Sequence, residues 1–300
     1  MHEAPGAPYL PPLAHPERQL GARRFDFDRQ VAVMAIVNRT PDSFFDQGAT
    51  FALDRAVDAA IAAAEAGADW VDIGGAKFAP GPEISASEEL DRVLPVVEAV
   101  AAQSDVVISV DTFRASVAAA CVAAGAHVVN DTTGLSDPEM AGVIAASGAS
   151  LVITHSLAEP RKPYPHPHYD DIASEVRAFL EERIGRAVAA GVPAERLFVD
   201  PGHDLNKNTV QSLELTRRLA EITSIGLPTL AAVSNKDFVG ESLGAEKHDR
   251  LEGSIVAATA CVLLGARIVR MHDVQASVAA MRMLEAILGF REPVWAAHNV

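Results

Sequence analysis

The chain has 300 residues, 49% of them hydrophobic and 22% charged, enough apolar material for one large core or two smaller ones. Its 25 Lys and Arg stand against 40 Asp and Glu, and the formal charge of −15 argues against nucleic-acid and membrane partners. No apolar run has transmembrane length, no basic-then-apolar leader opens the chain, and Cys121 and Cys261 lack metal-ligand spacing, so a reduced, cytoplasmic protein is expected.

Residues 1–28 are proline-rich and read as an irregular tail, and residues 29–300 as a single domain. That domain opens on Val31–Val37, uniformly apolar, the pattern of a strand buried on both faces. The strand breaks into a polar loop running from Asn38 through Pro41 to Asp46. Farther on, similar phrases precede apolar runs: Ala66-Gly67-Ala68-Asp69 before Trp70–Gly74, and Ala124-Gly125-Ala126-His127 before Val128–Asn130. Ser147-Gly148-Ala149-Ser150 precedes Leu151–Thr154, and Leu264-Gly265-Ala266-Arg267 precedes Ile268–Met271. Each glycine stands where a helix must stop and the chain turn back into a sheet, a left-handed position that glycine adopts at least cost.

Val106–Val110, Leu197–Val199 and Pro228–Val233 complete eight strand candidates. Between them, Leu53–Ala66, Glu88–Gln103, Ile172–Ala190 and Leu251–Leu264 carry helical periodicity. Such alternation over about 250 residues predicts an α/β fold of the (β/α)8 TIM-barrel type. No Gly-x-Gly-x-x-Gly follows the first strand, which removes the main argument for a dinucleotide-binding sheet.

In a barrel of this kind the chemistry sits at the carboxyl ends of the strands. Those positions carry Asn38, then Asp72, Gly74 and Gly75, Asp111, Asn130-Asp131 and His155. Asp200-Pro201-Gly202-His203-Asp204, Ser234-Asn235-Lys236 and Arg270-Met271-His272-Asp273 follow. The carboxylates and amides suit the edge of an amidine-like or aminopyrimidine ring, and the cations with helix amides suit a phosphate or pyrophosphate. One Asp or Asn after a strand is as readily a cap. The whole set together is poorly explained that way. His155, His203 and His272 could suggest a metal hydrolase, but Val37-Asn38-Arg39 offers no His-x-His pair on the first strand. The tract Pro160–His168 reads as an extended loop with surface histidines.

From Val31 to about Leu288 these residues resemble dihydropteroate synthase. The resemblance rests on Met34-x-Ile-Val-Asn-x-Thr-Pro-Asp-Ser-Phe, Asp72-Ile-Gly-Gly, Ser109-Val-Asp-Thr and Val129-Asn-Asp. Asp200-Pro-Gly with Lys207, Ser234-x-Lys236 before Phe238-Val-Gly240, and Arg270-x-His-Asp-Val274 extend it in order. It implies a transferase in which 6-hydroxymethyl-dihydropterin pyrophosphate loses pyrophosphate to the amine of p-aminobenzoate. Carried over by position, Asp111, Asn130, Asp200 and Lys236 would hold the pterin. Asn38 with Mg²⁺, and Arg270 with His272, would bind the pyrophosphate, and Arg270, His272 and Lys236 would form the catalytic set. Phe44 and Asp46 would lie on a loop closing over the second substrate, and a homodimer is implied.

The chain departs from that pattern in a cluster. The family's Glu-Ser-Thr-Arg-Pro-Gly is Ala76-Lys77-Phe78-Ala79-Pro80-Gly81, and its Ser-Arg-Lys-Ser is Ser234-Asn235-Lys236-Asp237. Its Gly-Phe-Gly-Lys is Asp204-Leu205-Asn206-Lys207, and Arg39 replaces a small apolar residue. Asp237 would face the p-aminobenzoate carboxylate, a repulsion of about 4 kcal/mol at ~4 Å before screening. The chain thus most resembles the divergent second copy of the synthase found in some bacteria, regarded as lacking the standard activity. Binding of the pterin pyrophosphate is expected, with condensation to p-aminobenzoate weak, absent or redirected to a neutral or cationic amine. A fully active synthase, with Asp237 merely capping the next helix, and a non-catalytic pterin-binding or partner protein are the other readings.

Overall fold

The computed structural model describes residues 10–38, 48–76, 78–158 and 161–298, with backbone alone at 48–51. Arg39, Phe44, Asp46 and Lys77 lie outside the described residues. Two strands, β1 (Glu17–Leu20) and β2 (Arg23–Asp26), form an antiparallel hairpin where an irregular tail was expected. Gly21, at φ 57, opens its two-residue turn, a position where only glycine accepts positive φ freely.

Eight parallel strands then make one sheet: β3 (Ala32–Asn38), β4 (Trp70–Gly74), β5 (Val107–Asp111), β6 (Val128–Asp131), β7 (Ser150–Thr154), β8 (Leu197–Asp200), β9 (Leu230–Ala231) and β10 (Ile268–Met271). Their order is β8-β7-β6-β5-β4-β3-β10-β9, and a parallel bridge from Val199 to Thr229 brings the two edge strands together. The result is the expected TIM barrel. β9 is shorter than the apolar run 228–233 that signals it. Pro228 has no N–H to donate, and the Thr229 carbonyl accepts from both Arg267 and Ile268.

The main helices lie between the strands: α1 (Gly48–Glu65), α2 (Ala86–Ala101), α3 (Ala115–Ala123), α4 (Met140–Ser147), α5 (Ile172–Ala189), α6 (Thr209–Arg217), α7 (Leu219–Thr223), α8 (Asp237–Leu243), α9 (Leu251–Leu263) and α10 (Val274–Ile287). α2 starts on a capping box in which the Ser85 hydroxyl accepts from Glu88 N–H and the Glu88 carboxylate accepts from Ser85 N–H. Outward strand residues such as Val71, Ile108 and Leu151 pack under these helices.

Inside the barrel, Met34, Trp70, Val107, Val128, Val152, Phe198 and Ile268 form a lower layer. The hairpin segment adds Leu20, Phe25 and Phe27 to it from below. Trp70 meets Phe198 and Phe25 edge-on, and Phe27 meets Phe198 in the same way. Buried Arg267 ties the plug to the barrel by donating from Nε to the Phe27 carbonyl at 2.7 Å. The polar residues are therefore left to the opposite, C-terminal end.

Candidate active site

Asp72, at the centre of that end, is fully buried and accepts three hydrogen bonds. Ser109 Oγ donates to one oxygen at 2.6 Å; Asn130 Nδ2 and Arg270 Nε donate to the other at 3.0 and 2.6 Å. Arg270 also reaches the Asp111 carboxylate through Nη2 at 3.1 Å. Ser109 and Asp111 alternate along β5, so the strand's two-residue period sends both towards the same interior. Charge-assisted bonds of this sort in a dry interior fix the guanidinium in place. Burial opposes the charge on Arg270, yet Asp72 and Asp111 hold its pKa above the ordinary value.

Around this anchor stand groups with unused hydrogen-bonding capacity. Asn130 Oδ1 is buried without a partner among the described residues. Asp200 gives one oxygen to the N–H of Gly202 at 2.7 Å, and burial, partly offset by that bond and by Lys236, lifts its pKa to about 6. Burial likewise raises Asp111 to about 7, with Arg270 pulling the other way. Lys236 is lowered by burial, and its Nζ makes no hydrogen bond among the described residues; Asp204, Asp200 and Asp111 all act on it. Acceptors and one ammonium thus share one mouth.

His272 completes it. Its backbone N–H donates to Ser234 Oγ at 3.1 Å, and its Nδ1 lies 3.0 Å from the same oxygen. The hydroxyl satisfies both by accepting the first bond and donating the second, which leaves the proton of a neutral imidazole on Nε2. Burial, with Arg270, Lys247 and Lys236 nearby, pushes His272 down to about 4. Asn38 ends β3: a Cβ on Gly74 would come within 3.1 Å of Asn38 Oδ1 and 3.8 Å of an Asp111 oxygen, so these oxygens flank the glycine. Carboxylate and amide oxygens of this kind are the hard donors that Mg²⁺ prefers, so the residues present fit that ion. Among the described residues, no group of three or more His, Cys, Asp or Glu is placed to hold a metal by itself.

The layer beneath has structural duties. Lys207 directs its ammonium at His155 Nδ1 and the carbonyls of Gly202 and Leu205, at 2.9, 2.9 and 3.0 Å. Gly202, at φ +69, passes so close that a Cβ would lie 2.1 Å from the His155 carbonyl oxygen. Asp131 caps its own turn by accepting from Thr133 and Leu135, which separates its role from that of Asn130. His203 is fully buried against Phe238, and neither ring nitrogen has a partner among the described residues. Burial lowers His203 to about 3, so its neutral form contributes stability above the unfolded value of 6.5 that is lost as pH falls. His203→Phe is expected to raise stability by about 1–2 kcal/mol at pH 7 and by more at pH 5. Denaturant melts at the two pH values read this; an unchanged or lower midpoint would mean the imidazole has an unseen partner.

Two features differ from the sequence reading. Asp237 is largely in solvent and its carboxylate is paired with Arg250 Nη1 at 3.0 Å, so much of its repulsion is compensated. Nor does it cap α8. Asp204, at φ 62, reaches across and accepts from the N–H groups of Asp237 at 2.5 Å and Phe238 at 3.4 Å. Neither the anchoring role of Asp72 nor the reach of Asp204 is foreshadowed locally, because their partners lie 198 and 33 residues away. The alternation of Ser109 and Asp111 was the one available hint.

Residues 34–272 match a family described as pterin binding enzyme. The chain is 45% identical over 271 residues to inactive dihydropteroate synthase 2 of Mycobacterium tuberculosis, covering 87% of this chain and 84% of that protein. It is 40% identical over 261 residues to dihydropteroate synthase of Escherichia coli K12, covering 87% and 93%. The fold superposes on Xanthomonas albilineans dihydropteroate synthase, solved with 4-aminobenzoic acid, with a TM-score of 0.85 at 39% identity over 91% of this chain and 98% of that one.

Proposed function

This chain belongs to the pterin-binding enzymes, and from that premise we propose that it binds 6-hydroxymethyl-dihydropterin pyrophosphate, with condensation to p-aminobenzoate weak, absent or redirected to another amine. The observation that carries the reading is the buried oxygen of Asn130, without a partner among the described residues, on the Asp72–Arg270 anchor whose guanidinium acts on both Asp200 and Lys236. An aminopyrimidinone edge presents N–H donors and a carbonyl acceptor. Asn130 and Asp200 would accept from the donors, Lys236 would donate to the carbonyl or ring nitrogen, and Asp111 would close the opposite edge.

In the reaction, the lone pair of the amine forms a bond to the exocyclic methylene carbon. The carbon–oxygen bond to the diphosphate breaks, its electron pair leaves on the diphosphate, and the amine gives up a proton to solvent. Negative charge grows on the departing oxygen. Arg270, already fixed by Asp72, and the Nε2–H of neutral His272 would meet that charge without reorganising, with Lys236 adding its field. Asn38 would hold Mg²⁺ against the diphosphate, where the ion would supply further neutralisation.

We also place the protein in the cytoplasm, on the two buried free thiols Cys121 and Cys261, and as a homodimer. No helix among the described residues is long and apolar enough to cross a membrane. The dimer reading draws on exposed apolar side chains of α9 and α10, including Val256, Met283 and Ile287.

The test is calorimetry with the pterin pyrophosphate and Mg²⁺, followed by a coupled turnover assay with p-aminobenzoate. Micromolar or tighter pterin binding with turnover at least about 100-fold below ordinary rates (median about 10 s⁻¹ for enzymes) is expected. Absence of pterin affinity would end the reading, and ordinary turnover would make the chain a working synthase.

A further inference from the structure

Three adjacent strands, β6, β7 and β8, each bring one polar side chain to the mouth of the barrel. Val128, Val152 and Phe198 lie in the interior layer, and two residues farther along come Asn130, Thr154 and Asp200. The two-residue period of a strand turns all three inward. Leu151 and Ile153, which alternate with Thr154, pack outward under the helices, as that period requires. The sheet register sets Thr154 beside Asp200, and Val152, one inward step below it, beside Asn130.

Thr154 is 1% exposed, and its Oγ1 has no hydrogen-bond partner among the described residues. Other hydroxyls at the mouth are engaged: Ser109 donates to Asp72, and Ser234 serves His272. A strand offers Thr154 no local remedy, because the backbone groups around it belong to the ladder. Valine, β-branched like threonine, would suit β7 equally and would avoid the cost of burying a hydroxyl without a bond. Folding alone thus leaves this oxygen unexplained. Asn130 Oδ1, on the adjacent strand, is buried and without a partner among the described residues too. Two such atoms on neighbouring strands, flanked by the Asp200 carboxylate, mark a surface suited to a polar ligand.

Resting on the reading given above, we infer that Thr154 is a further ring-binding residue, its hydroxyl hydrogen-bonding the aminopyrimidinone edge between Asn130 and Asp200. A hydroxyl donates or accepts according to its rotation, so it can meet a ring N–H or the ring carbonyl. The unmade bond costs the ligand-free protein stability and is recovered in the complex. Removing the hydroxyl should therefore move stability and affinity in opposite directions, which a purely structural threonine does not do.

The experiment compares the full wild-type chain with Thr154→Val and Thr154→Ser. Calorimetry is run with pterin pyrophosphate and Mg²⁺, then with inorganic pyrophosphate and Mg²⁺, and melting is followed without ligand. Thr154→Val keeps the shape and is expected to weaken pterin pyrophosphate binding about tenfold, with inorganic pyrophosphate affinity kept within about twofold. The same variant is expected to melt about 2–4 °C above the wild type. Thr154→Ser, which keeps the hydroxyl, should bind pterin pyrophosphate within about threefold of wild type. Unchanged pterin affinity in Thr154→Val, an equal loss for inorganic pyrophosphate, an equal loss in Thr154→Ser, or a melting temperature no higher than wild type would overturn the inference while the pterin reading stands. Absence of pterin binding by the wild type would remove the pterin reading and the inference together.

Discussion

Arg270→Met is expected to lower stability by about 3–5 kcal/mol and to abolish measurable diphosphate binding. Arg270 joins the fully buried Asp72 to Asp111, and a thioether can neutralise neither. The loss should depend on pH in a definite direction. Asp111 is already pushed up to about 7 by burial, with Arg270 the chief influence pulling it down. A carboxyl whose folded pKa lies above its unfolded one contributes stability that is complete below the unfolded pKa and is lost as pH rises through the folded pKa. Removing Arg270 raises Asp111 further, so the deficit grows from pH 5 to pH 8. Denaturant titrations across that range, with Arg270→Met and Arg270→Met/Asp72→Asn side by side, measure it. The double variant should recover part of the loss, since it no longer buries a carboxylate without its cation. A single variant as stable as the parent at pH 8 would mean the network is slack.

Asp200→Asn should weaken binding while leaving the chain folded. Its free oxygen is proposed to accept pterin N–H groups, and an amide in that position loses about 2–3 kcal/mol, near 100-fold in affinity. Because burial lifts Asp200 to about 6, the parent's pterin affinity should decline as pH drops through 6, and the variant's should not. The same raised pKa means native Asp200 favours its proton, so the parent loses stability as pH rises through 6 and the variant is spared that loss. Calorimetry at pH 5, 6 and 7.5 separates the two effects. Equal pH profiles for parent and variant would assign the titration to another group, with Asp111 the first suspect.

The legible parts of this molecule are those where chemistry and periodicity are local. The Gly-Ala phrases before β4, β6, β7 and β10 mark helix ends because a left-handed turn demands a particular residue, and the turns are there, at φ 95, 116, 81 and 106. Strand ends likewise announce Asn38, Asp111, Asn130, Asp200, Lys236, Arg270 and His272, and the barrel gathers them at one mouth. The N-terminal hairpin was not legible. Its strands have four residues each, and arginines at 18, 23 and 24 hide the alternation of Leu20, Phe25 and Phe27. Pairings across the barrel were invisible for another reason. Which carboxylate holds Arg270, and which one caps α8, depends on contacts that no local window contains. The charge at 237 is plain in the sequence and its partner Arg250 is not, so the sequence alone overstates the repulsion there.

The aromatic plug under the barrel has a bearing on how such a protein could drift from its relatives. Phe25, Phe27, Trp70 and Phe198 concentrate cohesion at the end remote from the mouth, while many of the divergent positions, among them Ala79, Asp204 and Asp237, line a cleft at the other end. A lineage can therefore rewrite its choice of second reactant without first weakening its foundation, and an ancestral catalyst can fall silent, or learn a new partner, while the scaffold beneath it scarcely registers the change.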